Sequence, residues 1–516
     1  MARERVSKVR AEVADTTLEE FLEQASTRAV TPVVRRLFVD SETPMGLLRK
    51  LSRGPGSFLL ESADQGGKWS RYSFLGVGVH GTLIASGGIA QWRALGMSAE
   101  DVFGGAVPHN PLDALTLLNE RWASDAIPGL PPFAGGVVGF LGWDVVRLLE
   151  DLPNPPHASH DVPSVHLSLV KDCVAYDHHT SEVVLMALVH SHAEATAEDF
   201  TEAVARLDAM HHDLARPTAS TLHQRVDPTE VSPSPSLSPG QFTEMVRVAQ
   251  QHIVDGDVFQ VVLSQEFSLE VSASALEVYR VLRSLNPSPY MYLLECEGVD
   301  GIPFQVVGSS PEALVTLQGG RVYSHPIAGS RPRGSTPDED ARYADEMRAD
   351  QKEQAEHLML VDLARNDVSK VCEPGSVEVT EFMEVERFSH IMHLVSSVEG
   401  TLRQGANSVD VLRATFPAGT LSGAPKPRAL EIIDALEHTQ RGIYGGVVGY
   451  FGHSGDADLA ITIRTVWMRE GSAVVRAGAG IVADSDPLSE YYETIHKASA
   501  PARAVFVANA LVPGSQ

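Results

Sequence analysis

Residues 442–452 read GIYGGVVGYFG and residues 473–482 read AVVRAGAGIV. A glycine inside a helix costs about 1 kcal/mol relative to alanine, so apolar runs punctuated this densely favour strands. Their glycines also let another backbone approach closely. An echo lies far upstream: GGVVGF at 135–140 against GGVVGY at 445–450. Six residues do not establish a duplicated domain, but they fit two equivalent strands in a pseudo-symmetric sheet. A chain organised around such strands, with helical segments between them, is expected to be α/β or α+β with large sheets.

The helical segments mark their own ends. Ser238, Pro239 and Gln241 form a capping box with proline at the first helical position. Phe242, Met245, Val246, Ala249 and Ile253 then recur at helical spacing, and Gly256 marks the stop. VFQVVLSQ (258–265) follows as a strand, with Phe259, Val261 and Leu263 on one face and Gln260, Val262 and Ser264 on the other. Thr336-Pro337-Asp338-Glu339 repeats the capping pattern and opens a helical stretch towards Asn366, with room for one break. Residues 215–240, ARPTASTLHQRVDPTEVSPSPSLSPG, are too rich in proline and serine to build a core. This linker divides the chain into 1–214 and 241–516.

The formal net charge of −26 excludes non-specific nucleic-acid binding, which needs a concentrated positive surface. A small anionic ligand stays open, because a pocket's own Arg and Lys set the field within about 8 Å. Cys173, Cys296 and Cys372 are too few and too scattered for a disulfide framework or a CxxC metal site, which points to a reducing compartment. The first 21 residues lack a signal-peptide apolar core, and the longest apolar run, VVLMALV (183–189), is far shorter than a membrane span. The expectation is a soluble, cytoplasmic protein.

Two pairs of carboxylates sit at helical spacing: Glu353 and Glu356 in QKEQAEHLMLVDLARND, and Glu490 and Glu493 behind the Asp486-Pro487 helix start. They read either as solvated faces, with Glu493 and Lys497 an ordinary i,i+4 pair, or as ligands converging on a hard ion such as Mg²⁺. GSSPE (308–312), PIAGSRPRG (326–334), FPAGTLSGAPK (416–426) and AGAGI (477–481) join glycine to small or hydroxyl residues, as turns or as anion cradles. None has the order of a P-loop or a dinucleotide fingerprint. Arg331, Arg333, Lys426, Arg464 and Lys497 are isolated cations on these segments. Arg464, in LAITIRTVW, either faces solvent or meets a partner in the interior. His393, in FSHIMHLVSS, is either a satisfied core residue or a catalyst.

In order along the chain, FQVVLSQ, GSSPE, PIAGSRPRG, EHLMLVDLARND, RFSHIMHLVS, FPAGTLSGAPK, GIYGGVVGY, ITIRT and AGAGIVADSDPLSEYYET resemble the chorismate-utilising enzymes, specifically component I of anthranilate synthase. LLES (59–62) and NPSPYMYLL (286–294) extend the resemblance upstream. It implies large antiparallel sheets in a layered sandwich flanked by helices, with 1–214 a regulatory part and 241–516 the chorismate-binding part. It further implies Mg²⁺ on Glu356 and Glu493, supported by Glu353 and Glu490. Gly329, Ser330, Tyr444, Arg464, Lys497 and the backbone N–H groups of Gly478, Ala479 and Gly480 would hold chorismate, while Glu312, His393, Thr420 and Gln260 would serve catalysis.

Two residues sharpen the implied reaction. Relatives that add water carry Lys where this chain has Gln260, and aminodeoxychorismate synthases carry Lys where it has Ala328. The resemblance therefore implies amination by free ammonia and loss of pyruvate to give anthranilate. Ser330 departs from the usual Thr. Ammonia would come from glutamine through a separate amidotransferase, component II, commonly in a heterotetramer, since no cysteine here sits on a glycine-flanked turn. Glu61, Ser62, Pro289, Tyr290 and Met291 match the tryptophan feedback site. Unaided, those segments read equally well as buried strand packing.

Overall fold

The computed structural model describes residues 14–63, 71–192, 194–218, 222–224, 233–387 and 391–513. Its framework is two long antiparallel strands, Tyr72–Ser86 and Val165–Asp177, whose register slips repeatedly between Gly76 and Gly81. Such slips bend strands, and here the pair feeds two separate arms. One arm runs through Phe58–Glu61, Tyr290–Glu297, Pro303–Ser310, Thr465–Arg469, Ser472–Ile481 and Gln260–Glu270. The other runs through Gly136–Leu141, Val447–Gly452, Ala457–Ile461, Ala313–Gln318, Arg321–Ser324 and Ile391–Thr401. Ile327–Pro332 and Glu378–Arg387 attach to that last strand.

The arms face each other across one apolar layer, in which Phe140 and Phe451 meet Leu294, Phe304 and Val306. The far face of the first arm, including Leu293, Val307 and Val475, is covered by Val278, Leu282, Ala502 and Val505 of helices Ala275–Leu285 and Pro487–Asn509. The fold is the layered antiparallel sandwich flanked by helices that the sequence led us to expect. In both arms a strand from before residue 215 pairs with one from after residue 240. Of the segment between, 219–221 and 225–232 lie outside the described residues.

The two echoing hexapeptides pair directly with each other, Gly139 opposite Gly449. A β-carbon at Gly139 would collide with the His166 carbonyl, and one at Gly449 with that of Asp458. Both glycines are therefore required by backbone crowding. The Ser238 capping box forms as expected ahead of helix Pro239–Val254. Thr336 caps the Glu339 N–H at 3.2 Å, but the Glu339 carboxylate turns to the Ser335 N–H, so this box is half made. The helical stretch breaks once, at Asp350, into Pro337–Ala349 and Gln351–Ser369. The strand predicted from 258 begins at Gln260; Phe259 lies just outside it and its side chain is exposed.

Candidate active site

Where the ends of the two arms meet, a cavity of about 670 Å³ opens. The first arm supplies Gln260, Arg464, Gly478 and Gly480; the second supplies Glu312, Gly329 and His393. Glu353, Glu356, Glu490, Glu493 and Lys497 reach it from two helices, and Thr420 and Tyr444 from the connecting segments. Ala479 does not line it: strand alternation turns its side chain into the core, where it is fully buried. Ser330 is placed in backbone register opposite His393, but its side chain lies outside the described residues. Strand Ser472–Ile481 pairs with Thr465–Arg469 only as far as Val475, which leaves that edge at Gly478–Gly480 turned to the cavity.

Arg464 is held at a φ of 52°, a strained left-handed conformation for a side chain of this size. Arg464 is half-buried, and among the described residues its guanidinium makes one long hydrogen bond, 3.5 Å, to Asn286 Oδ1. Burial disfavours its charged form, so an anion delivered to this position is strongly favoured. Glu312 accepts a hydrogen bond from the Thr420 hydroxyl at 2.7 Å. Burial nevertheless pushes its carboxyl up to about 7, against that bond and the nearby Lys497 charge.

His393 is also held below the usual imidazole range, chiefly by burial, with a hydrogen bond to Gly329 opposing it and the Arg464 charge adding to it. Its Nδ1 lies 2.7 Å from the Gly329 carbonyl, so Nδ1 carries the proton and the neutral ring keeps an accepting Nε2. Gly329 sits at the bulge between Ala328 and Ser330 with φ 65°, and a β-carbon there would lie 3.0 Å from Glu353 Oε2. Only glycine satisfies both constraints. Gln260 is nearly fully buried, with its amide nitrogen 3.5 Å from Glu356 Oε1.

The carboxylates offer hard oxygen donors without a closed cage. Glu353 bonds Arg331 at 3.1 Å and Glu493 bonds Lys497 at 2.7 Å. Among the described residues no group of three His, Cys, Asp or Glu is close enough to hold a metal alone. That donor set suits Mg²⁺, which usually takes one or two carboxylates and fills its octahedron with water and ligand oxygens. Asn286 and Arg476 also line the cavity and escaped the sequence reading. Arg476 carried the same signal as Arg464, a charge inside a β-rich run. It is fully engaged, with Glu437 at 3.1 Å and Ser264 Oγ at 2.9 Å.

A second cavity, of about 510 Å³, is lined by Glu61, Ser62, Pro289, Tyr290 and Met291 together. Glu61 faces Met291 in register and takes hydrogen bonds from Tyr279 at 2.7 Å and Arg283 at 2.8 and 3.0 Å. Tyr290 donates at 3.0 Å to Asp458, an acid the sequence reading missed, which burial raises to about 6. Pro289, Pro311 and Ile327 line both cavities.

A family profile described as chorismate binding enzyme matches residues 65–503. The chain is 51% identical over 501 residues to the anthranilate synthase component 1 of Arthrobacter globiformis, covering 96% of this chain and 93% of that protein. It is 46% identical to the protein of that name from Mycobacterium tuberculosis H37Rv, covering 97% and 98%. The crystal structure of anthranilate synthase component I from Streptococcus pneumoniae superimposes with a TM-score of 0.73 at 36% identity, covering 84% of this chain and 92% of that one. The menaquinone-specific isochorismate synthase of Escherichia coli shares the fold at a TM-score of 0.66 and 18% identity, covering 95% and 98%. No helix of the described residues is long and apolar enough to cross a membrane.

Proposed function

The chain belongs to the anthranilate synthase component 1 family of chorismate binding enzymes, and on that footing we propose that it converts chorismate and ammonia into anthranilate, pyruvate and water, the first step of tryptophan biosynthesis. The observation that carries the reading is a protonatable carboxyl, Glu312, set in one cavity with the half-buried, lightly held Arg464. Chorismate is a dicarboxylate. Arg464 and the Gly478–Gly480 edge bind one carboxylate, and Tyr444 and Lys497 border the same space. Glu356 and Glu493, supported by Glu353 and Glu490, are the residues to hold Mg²⁺, whose charge when bound neutralises the ring carboxylate.

Ammonia adds at ring carbon 2, the double bonds shift, and the carbon 4 hydroxyl leaves. Glu312 donates the proton that turns this hydroxyl into water, with Thr420 fixing the carboxyl's orientation. His393, with Nε2 as acceptor, serves the departing hydroxyl and the later elimination of pyruvate and the ring proton. Gln260 cannot deprotonate water, and ammonia needs no such help. Ala328 lines the cavity without an amine to attack the ring. Both favour free ammonia over the water-using and aminodeoxychorismate-forming reactions.

Cys173, Cys296 and Cys372 are all buried, and burial raises each thiol, Cys372 to about 11. None is suited to hydrolyse glutamine, which supports ammonia supply by a partner amidotransferase in a heterotetramer. The second cavity is assigned to feedback by L-tryptophan. The test is direct: chorismate, Mg²⁺ and ammonium salts with the pure chain should yield the fluorescence of anthranilate. Glutamine should substitute for ammonium only when the partner is added. A non-fluorescent aminated product that keeps its pyruvyl group would overturn the assignment in favour of aminodeoxychorismate synthesis.

A further inference from the structure

Lys426 is one of the isolated cations of the sequence, and it does not line the catalytic cavity. It stands at the first position of helix Lys426–Leu436, where a cation opposes the positive end of the helix dipole. Its side chain is 11% exposed. Burial holds its ammonium below the usual lysine range, although the Asp367 charge opposes that shift. A buried ion pair gains in attraction about what it loses in hydration, so net stability does not account for this placement. What the pair supplies is direction.

The ammonium reaches the Asp367 carboxylate at 2.5 Å and the Thr415 carbonyl at 3.1 Å. Thr415 and Lys426 flank the segment 416–425, so the second bond closes the base of a loop. Asp367 belongs to helix Gln351–Ser369, whose first turns carry Glu353 and Glu356. Lys370, 59% exposed, holds the same carboxylate at 3.0 Å from the outside. Near the middle of the loop stands Thr420, whose hydroxyl donates to Glu312.

The loop has room to move. Leu363 of the helix touches it at Gly419, where a β-carbon would lie 2.0 Å from the leucine Cδ2. Beside that contact is a void of about 50 Å³, bordered by Ala364, Asp367, Ala418, Thr420 and Glu312. The downstream half of the loop is tied to other elements. Arg441 bonds the Leu421 carbonyl at 2.7 Å, and Gly423 and Ala424 pair with Val261 and Gln260. Among the described residues, hydrogen bonds from the upstream end to the helix side run through Lys426 and, at 3.5 Å to the Ala414 carbonyl, Lys370.

We propose that Lys426 is a positioning residue: by clasping Asp367 and the Thr415 carbonyl, it holds the Thr420 hydroxyl on Glu312. That Glu312 is the general acid so positioned rests on the proposed function; the clasp does not. Lys497 and Tyr444 also act on Glu312 from the catalytic side. Arg464 and His393 share that cavity with it, and His325 and Asp367 share the void.

The test follows the protonation of Glu312 without turnover, by infrared titration of protein carrying ¹³C-labelled glutamate. Loss of the band in Glu312→Gln assigns it, and in wild type it should titrate near pH 7. Thr420→Val removes a bond that favours the ionised form, and should raise the midpoint by about 0.5–1 pH unit. Lys426→Met should raise it by a similar amount, and both changes together by no more than either alone. A charge acting through space would instead add its shift to that of Thr420→Val. Lys370→Ala, on the exposed side of the carboxylate, should move the midpoint by less than about 0.2 unit. An unmoved midpoint in Lys426→Met, full additivity with Thr420→Val, or an equal shift in Lys370→Ala each overturns the proposal. If Lys426→Met does not fold, its combination with Asp367→Asn removes both buried charges and is read in the same way. The alkaline limb of kcat/KM should move with the band. If the chain makes no anthranilate, the enzymatic reading fails while the titration still decides the clasp.

Discussion

Around Glu61 the acids are held by neighbours. Glu61 takes three hydrogen bonds from Tyr279 and Arg283, Asp458 takes Tyr290 and Thr316, and Glu399 takes Arg321 and Thr380. In the catalytic cavity Arg476 is tied to Glu437, but Arg464 has one long bond, Glu312 one hydroxyl, and Glu353 and Glu493 lean on Arg331 and Lys497. The cavities share Pro289, Pro311 and Ile327, so the contrast is maintained across a few ångströms of backbone. A pocket whose charges are mutually satisfied suits a ligand with balanced charges of its own, such as a zwitterionic amino acid. A pocket whose charges are lightly held suits a dianion and a cation that complete it.

The most severe way to break the contrast is Arg464→Gln, which should lower kcat/KM for chorismate on the order of 10³-fold while leaving tryptophan binding intact. Steady-state kinetics beside tryptophan calorimetry would separate the two; equal damage to both would erase the distinction. Next is Glu312→Gln, with kcat down about 10²-fold and KM little changed. The wild-type kcat/KM should be highest where Glu312 is protonated and should fall as pH rises through about 7. That limb should vanish in the variant's pH profile.

Third, Ser62→Arg should fill the second cavity, abolishing tryptophan inhibition with kcat within about twofold of wild type, measured by inhibition curves. Retained inhibition would remove tryptophan from that cavity. The smallest effect concerns the framework that carries both pockets. His80 Nε2 lies 3.1 Å from His190 Nδ1, whose Nε2 lies 3.2 Å from His453 Nε2. Burial lowers His80 to about 3 and His453 to about 4, and His190 well below 6.5; Lys171 and Arg206 add to the shift at His80, and Arg206 and His192 at His190.

Below pH 6.5 the unfolded chain gains protons that the folded chain refuses, so this stability is present above 6.5 and declines as pH falls towards about 4. Each histidine sets a slope of about 1.4 kcal/mol per pH unit. The raised carboxyls Glu312 and Asp458 act with the opposite sign, so the readout is a difference. Urea midpoints at pH 7 and 5.5 should fall less in His453→Gln than in wild type. Parallel lines would remove the histidines from acid sensitivity.

Most of the site was legible because local patterns carried it: the Asp486 cap sets Glu490 and Glu493 on one helix face, and strand alternation sets Gln260 and Val262 toward the cavity. At Ala479 the expectation concerns the backbone N–H, and it is compatible with a side chain that strand alternation turns into the core. Asp458 and Arg476 escaped because their significance depends on partners, Tyr290 and Glu437, that only tertiary folding brings near. The two-armed sheet was also beyond local pattern. Period-two runs identify strands but do not say that Phe58–Glu61 pairs with Tyr290–Glu297.

The pairing of Gly139 with Gly449 sets a schedule for synthesis. The strand that completes the second arm leaves the ribosome some three hundred residues after its partner, about 15–60 s later at ordinary elongation rates. Throughout that interval Gly136–Leu141 has a bare strand edge, the kind of surface that invites pairing with a neighbouring nascent chain. Both cavities come into being only with the last third of the polypeptide. A ribosome stalled before residue 447 therefore releases a product with neither pocket, and with an adhesive edge for the cell's chaperones to cover.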